Sequence, residues 1–173
     1  STCPHPAIPP TTPRCEAWSR ATFGASVPDF YLGADIGGTK TAAVLCDETG
    51  AIAARAWVEH DPERPGTVSE RILGALDRVS ADVAHTDLRG CGVAISGLVS
   101  GDHRVLVHGA TLGSRLPLAD ALEPTLGCPC FIVNDANAAL AGHLSESPAP
   151  ASHRHAVLLT VGTGLGGAVS AGG

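Results

Sequence analysis

Between Phe30 and His60 the chain reads strand, turn, strand, turn, strand, and this pattern limits the fold more than any other. "FYLGADI" is a mainly apolar run that suits a buried strand. "TKTAAVLCD" follows two glycines, and "ETG" at 48–50 separates it from "AIAARAWVEH". Turns this short join antiparallel neighbours, so the three segments predict a β-meander. The period then changes. Thr67 and Glu70 form a T-x-x-E capping box, and Val68, Ile72, Leu76, Val79 and Val83 recur on one face of a helix. "CGVAIS" (91–96) is a short buried strand, and 98–116 is irregular with one strand at "RVLVHG". "LADALEPTL" predicts a short helix, "CFIV" (130–133) another buried strand, and Asp135 opens a helix through "ANAALAGHL". After the loop "ESPAPASH", the strand "AVLLTV" turns through "GTGLGG" into "AVSAGG". The order βββ-α-β-α-β-α-β predicts an α/β fold, a mixed sheet that starts as a meander and carries helices on both faces.

Composition narrows the function. The 173 residues suffice for one domain with a real core, and 44% apolar content marks the chain as globular. No apolar run approaches the ~18 residues of a membrane span. A net charge of -6 with no basic cluster argues against a nucleic-acid partner. Residues 1–28 hold six of the thirteen prolines and show no periodicity, so they read as a disordered leader before a folded domain at 29–173. That leader lacks the apolar core of a secretory signal, which fits a cytoplasmic protein. The six cysteines, Cys3, Cys15, Cys46, Cys91, Cys128 and Cys130, match no zinc spacing and read as buried thiols. Methionine is absent and the chain stops inside a motif, so a piece of a longer protein is expected.

Three segments carry chemistry. "DIGGTK" (35–40) is not a P-loop, because Lys40 is one residue too late and a strand follows instead of a helix. As a hairpin, it lets Gly37 and Gly38 take backbone angles closed to other residues and bring N–H groups to a phosphate. Thr39 adds a hydroxyl, Lys40 a charge, and Asp35 a carboxylate that could hold Mg²⁺ through water. A plain Gly-Gly turn is the competing reading. "VGTGLGG" (161–167) satisfies G-x-G-x-x-G, but strand follows where a dinucleotide site needs a helix. It reads as a second phosphate hairpin, with Gly162 and Gly164 flanking Thr163. Between them, "VNDANAAL" sets Asp135 at the end of a strand and the start of a helix, where open α/β sheets bind ligands and the helix dipole favours a carboxylate. There Asp135 is either a general base or only a helix cap. Asn134 and Asn137 flank it and could bond sugar hydroxyls or tidy the turn.

Taken together, "ADIGGTKTAAVL", "ISGLVSG", "VNDANAAL" and "LLTVGTGLGGAV" resemble the ROK family of bacterial sugar kinases and sugar-responsive repressors, glucokinases included. The resemblance runs from about Phe30 to the end. It implies an actin-like ATPase fold, of the ribonuclease H-like kind, and ATP-dependent phosphorylation of a hexose. It makes "DIGGTK" and "GTGLGG" the ATP-phosphate loops, Asp135 the general base, and Gly97, Thr111, Asn134 and Asp135 the sugar contacts, with ATP and Mg²⁺ as cofactors. It also implies a second lobe bearing a zinc motif, C-x-C-G-x-x-G-C, that this chain lacks, and hence a truncated, inactive lobe. A homodimer belongs to the full-length form. Some residues depart from the pattern: Ser96-Gly97 stands for Pro-Gly, Thr111-Leu112 for Asn-Leu, and His143 for a glutamate. The alternative within the family is the sugar-sensing lobe of a transcriptional repressor. The Pro-rich residues before Phe30 are a poor match for that repressor's winged helix.

Overall fold

The computed structural model describes residues 29–60, 66–80, 88–109, 112–146, 155–161 and 164–172. The leader, Val83, Thr111, most of the "ESPAPASH" loop, and Gly162 and Thr163 therefore lie outside the described residues.

The expected meander is present as β1 (Phe30–Ile36), β2 (Lys40–Asp47) and β3 (Ile52–Glu59). Its second turn closes because the Asp47 carboxylate accepts the N–H groups of Thr49 and Ala51 at 2.9 and 3.0 Å, while Gly50 adopts φ +85°. Alternation along β1 sends Leu32, Ala34 and Ile36 into the core and Tyr31, Gly33 and Asp35 to the other face. Helix α1 (Val68–Ser80) starts at the capping box: Glu70 N–H donates to Thr67 Oγ1, and Thr67 N–H donates to Glu70 Oε2. Its Ile72, Ala75 and Leu76 are fully buried against the meander. Ile72 and Leu76 each contribute about 1.5–3 kcal/mol on burial.

Strand β4 (Leu88–Ile95) then returns parallel to β1, and β8 (Cys130–Asn134) lies parallel to β4. The main sheet runs β3-β2-β1-β4-β8. Helix α2 (Leu118–Leu126) covers β8 on the same face as α1 and ends at Gly127, whose φ of +68° makes a left-handed cap.

The stretch from 98 to 116 holds more order than its sequence suggests. β5 (Leu98–Val99), β6 (Leu106–Gly109) and β7 (Gly113–Leu116) form a small antiparallel sheet, of which only β6 was expected. Strands of two and four residues are too short to show a period. The loop before β6 also shields the outer edge of β8, since Ile132 N–H donates to the His103 carbonyl at 2.8 Å.

Helix α3 (Asp135–Glu146) follows β8 directly. It packs Ala136 and Leu140 against Ala168 on the hairpin of β9 (His155–Val161) and β10 (Leu165–Ala171). That hairpin is a separate two-stranded sheet with its own small core.

Candidate active site

Three parallel strands end on one line. Ile36 of β1 pairs with Ile95 of β4, which pairs with Asn134 of β8. The residues singled out from sequence sit at these ends: Asp35 with the 37–40 turn after β1, Gly97 after β4, and Asn134 and Asp135 after β8. Such carboxyl ends are where open α/β sheets bind ligands.

The "DIGGTK" hairpin works differently from the expectation. Neither Gly37 nor Gly38 has a positive φ. Gly37 donates its N–H to the Lys40 carbonyl at 2.9 Å, and a Cβ at Gly37 would stand 3.0 Å from that oxygen. Its glycine is thus required by a close backbone approach, and its N–H is spent closing the turn. At Gly38 a Cβ would meet nothing within 4 Å, so the absent side chain leaves open space. The N–H groups of Gly38 and Thr39 have no backbone partner among the described residues.

A residue that the sequence reading missed holds this turn in place. His60, just past β3, donates its backbone N–H to the Thr39 carbonyl at 2.7 Å. Its Nδ1 lies 3.3 Å from the Gly38 carbonyl and its Nε2 2.8 Å from Thr41 Oγ1. A carbonyl can only accept, so Nδ1 carries the proton and, in the neutral ring, Nε2 accepts from the fully buried Thr41 hydroxyl. The β2–β3 register, Lys40 opposite Glu59, brings these partners together. Without that register nothing in the sequence links His60 to Gly38.

At Gly97 glycine is obligatory. The backbone has φ +147°, and a Cβ would lie 2.4 Å from the His108 carbonyl oxygen and 2.9 Å from Leu106 Cδ1. β6 therefore presses directly on the end of β4. A Cβ at Gly109 would likewise come 3.3 Å from the Ser96 carbonyl, so the last residue of β6 also lies against the same strand end.

Asn134 is the residue that organises the centre. Its Oδ1 accepts from Ala136 N–H at 3.0 Å and Asn137 N–H at 3.3 Å, and its Nδ2 donates to the Gly97 carbonyl at 3.2 Å. It caps α3 and ties that helix to the bend after β4. The capping reading of Asp135 thus belongs to Asn134. Asp135 accepts only the adjacent Ala136 N–H, through Oδ1 at 2.9 Å, and its Oδ2 has no hydrogen bond among the described residues.

Asp35 lies within reach of the Asp135 charge. Asp35 is exposed on one side, yet desolvation by the strand ends pushes its pKa up. The Asp135 carboxylate adds to this and the Lys40 ammonium opposes it. Of the second glycine motif, Gly164 lies just before β10. A Cβ at Gly166 would sit 3.9 Å from that of Ala136, so the start of β10 lies against the first turn of α3, beside Asp135. No group of three potential metal-ligating side chains converges among the described residues.

A mixed sheet whose parallel strand ends carry a glycine hairpin, a helix-initiating aspartate and a second glycine strand defines an actin-like ATPase fold. The sequence profile of the ROK family matches residues 31–173, and the chain belongs to that family. It is 33% identical over 142 residues to a glucokinase of Streptomyces coelicolor, a match that covers 82% of this chain and 43% of that protein. To an N-acetylmannosamine kinase of Salmonella arizonae it is 31% identical over 141 residues, 80% of this chain and 46% of the relative. The crystal structure of a ROK family glucokinase from Streptomyces griseus, in complex with glucose and AMPPNP, superposes with a TM-score of 0.71 at 30% identity. That superposition covers 83% of this chain and 45% of the other. The chain therefore spans a little under half the length of these relatives.

Proposed function

We propose that this chain supplies the phosphate-binding and proton-accepting wall of an ATP-dependent hexose kinase of glucokinase type, working in the cytoplasm where ATP is available. The observation that carries the reading is the division of labour between Asn134 and Asp135. Asn134 caps α3, which leaves Asp135 with an unbonded oxygen at the end of β8 and no structural task that requires its charge.

In this reading Asp135 accepts the proton of the attacking sugar hydroxyl as the phosphoryl group arrives. Asn134, Gly97 and Thr111 contact the sugar. The free N–H groups of Gly38 and Thr39, the Thr39 hydroxyl and Lys40 hold ATP phosphates from one side, while Gly162, Thr163 and Gly164 hold them from the other. His60 fixes the first of these loops so that its donors need no reorganisation. Asp35 fits a hydrated Mg²⁺, which favours few carboxylates and several waters. A cation there also offsets the burial and, after it, the Asp135 charge that raise the Asp35 pKa. When bound, Mg²⁺ neutralises charge on the phosphates. What the residues contribute is mostly positioning and electrostatics. A sugar-sensing repressor needs no proton acceptor, so the free Asp135 carboxylate and the intact "DIGGTK" favour the kinase.

The test is sugar-dependent ADP release. The 173-residue chain alone should give none with glucose or N-acetylmannosamine, because it offers one wall of a site that kinases close from two sides. Set in a polypeptide of the relatives' full length it should turn over, and Asp135→Asn should lower kcat by roughly 10²–10⁴-fold with ATP affinity unchanged. An Asp135→Asn enzyme with near wild-type kcat refutes the assignment of the base.

A further inference from the structure

Away from the site, three thiols gather under the sheet. Cys91 of β4 and Cys130 of β8 are register partners on adjacent parallel strands, and each is 2% exposed. Both side chains are buried on the same face of the sheet. The third, Cys128, lies in the loop between α2 and β8, and its carbonyl accepts from Cys130 Sγ at 3.7 Å. The loop folds back on β4 as well, since Cys91 N–H donates to the Pro129 carbonyl at 2.9 Å. Buried single thiols are inert, but two that face one another across neighbouring strands are not equivalent to two single ones.

We propose that Cys91 and Cys130 are an oxidation-sensitive pair that closes to a reversible disulfide with hydrogen peroxide. Strand neighbours stand about 4.7–4.9 Å apart, within the Cα window of about 4.4–6.8 Å that a disulfide accepts. Cys130 is the attacking group: the neighbouring Cys91 thiol lowers its pKa, while the pairing with Cys130 and burial push that of Cys91 up. The Cys130 thiolate attacks one peroxide oxygen. An S–O bond forms, the O–O bond breaks, and hydroxide leaves to take up the proton that Cys130 gave up. Cys91 then attacks the Cys130 sulfur. The S–S bond forms, the S–O bond breaks, and the departing hydroxide leaves as water with the Cys91 proton. Two thiols are oxidised and one peroxide is reduced to two waters.

Peroxide is little larger than water and reaches the pair when the α2–β8 loop opens, a loop whose Gly127 and Pro129 are exposed. Thiol–disulfide exchange with a reducing thiol returns the pair to two free cysteines. Closing the disulfide draws β4 and β8 together at the rung that opens their pairing. The rung that closes the same pairing is Ile95 with Asn134, so the tether acts on the two strands that deliver Gly97 and Asp135.

The experiment is peroxide treatment of the native 173-residue chain, alkylation of remaining thiols in denaturant, digestion and mass spectrometry. The expected product is a peptide pair joined through Cys91 and Cys130, lighter by about 2 Da for the two hydrogens lost and restored by dithiothreitol. Cys130→Ser should abolish the link, and the wild-type map decides the matter even if that variant folds poorly. Three results overturn the proposal: gains of about 16 Da per oxygen at Cys46 or another thiol with no cross-link, a bridge that uses Cys128 in place of either partner, or a Cys91–Cys130 link that forms only after denaturation.

Discussion

Gly97→Ala puts a methyl group where the chain has no space for it. Its Cβ would lie 2.4 Å from the His108 carbonyl oxygen, 2.9 Å from Leu106 Cδ1 and 3.1 Å from Gly109 Cα. The oxygen must retreat by more than half an ångström to reach even the shortest contact that Cβ atoms show. His108 is not free to retreat, because it pairs with Leu98 of β5 on one side and Ser114 of β7 on the other. The φ of +147° is also one that alanine resists. Backbone strain of this kind costs about 1–3 kcal/mol, and overpacking costs about 1–3 kcal/mol. One local shift relieves part of both, so the net loss should be about 2–4 kcal/mol. Against a total stability of about 5–15 kcal/mol this is large, and in a chain of this size it lowers Tm by about 4–16 °C. Urea unfolding followed by far-ultraviolet circular dichroism measures it. Gly101→Ala is the control, since a Cβ there meets nothing within 4 Å and should change stability by less than about 0.5 kcal/mol. Equal midpoints for the two variants would refute the claim that β6 closes on the end of β4.

Other outcomes follow from the same strand ends. His60→Ala strands the buried Thr41 hydroxyl and should cost about 1–3 kcal/mol in urea; adding Thr41→Val should recover part of that loss, and strict additivity would show the two side chains to be uncoupled. Asp35 has a raised pKa in the folded state, so the folded chain binds its proton more tightly than the unfolded one. Its contribution is therefore neutral below the ordinary carboxylate range and becomes destabilising as pH rises through the unfolded and then the folded pKa. Asp35→Asn should accordingly stabilise the chain at pH 7 and make no difference near pH 3, and the opposite trend in urea midpoints would mean that Lys40 dominates. In a full-length polypeptide, Thr111→Asn should lower KM for the true hexose by about 2- to 12-fold, the value of one net hydrogen bond; an unchanged KM across a hexose panel would remove residue 111 from the sugar contacts.

Much of the fold was written in local pattern. The meander showed in its turn residues, α1 in its capping box, and the start of α3 in the switch from "CFIV" to "DANAAL". These signals lie within a few residues of one another and need no knowledge of partners. What escaped depended on contacts between distant segments. The β5–β6–β7 sheet is too short for periodicity, and His60 acquires its task only through the pairing of β2 with β3. Sequence alone leaves the role of Asn134 open for a related reason. Asn and Asp are both good helix caps, so adjacent Asn134 and Asp135 could not be told apart until Asn134 was found bonded to both Asn137 and Gly97. For the glycines of "DIGGTK" the pattern suggests unusual backbone angles, and the structure shows none. They are there for close approach and open space rather than for unusual backbone angles.

The β9–β10 hairpin has a consequence for the chain's life in a cell. One of its faces packs on α3, but the other shows Val157, Leu159, Val161, Leu165 and Val169, each between 69% and 85% exposed. The segment "HAVLLTV" that forms β9 contains no acidic residue, no lysine or arginine and no proline. Uncharged, strand-prone windows of this length are those that chaperones hold and that pair with copies of themselves when left bare. For the isolated 173-residue chain, yield in a host cell should then depend on protein quality control more than on global stability. A charge introduced at Leu159, on the bare face, would act as a gatekeeper, keeping the chain dispersed without touching the carboxyl ends of β1, β4 and β8.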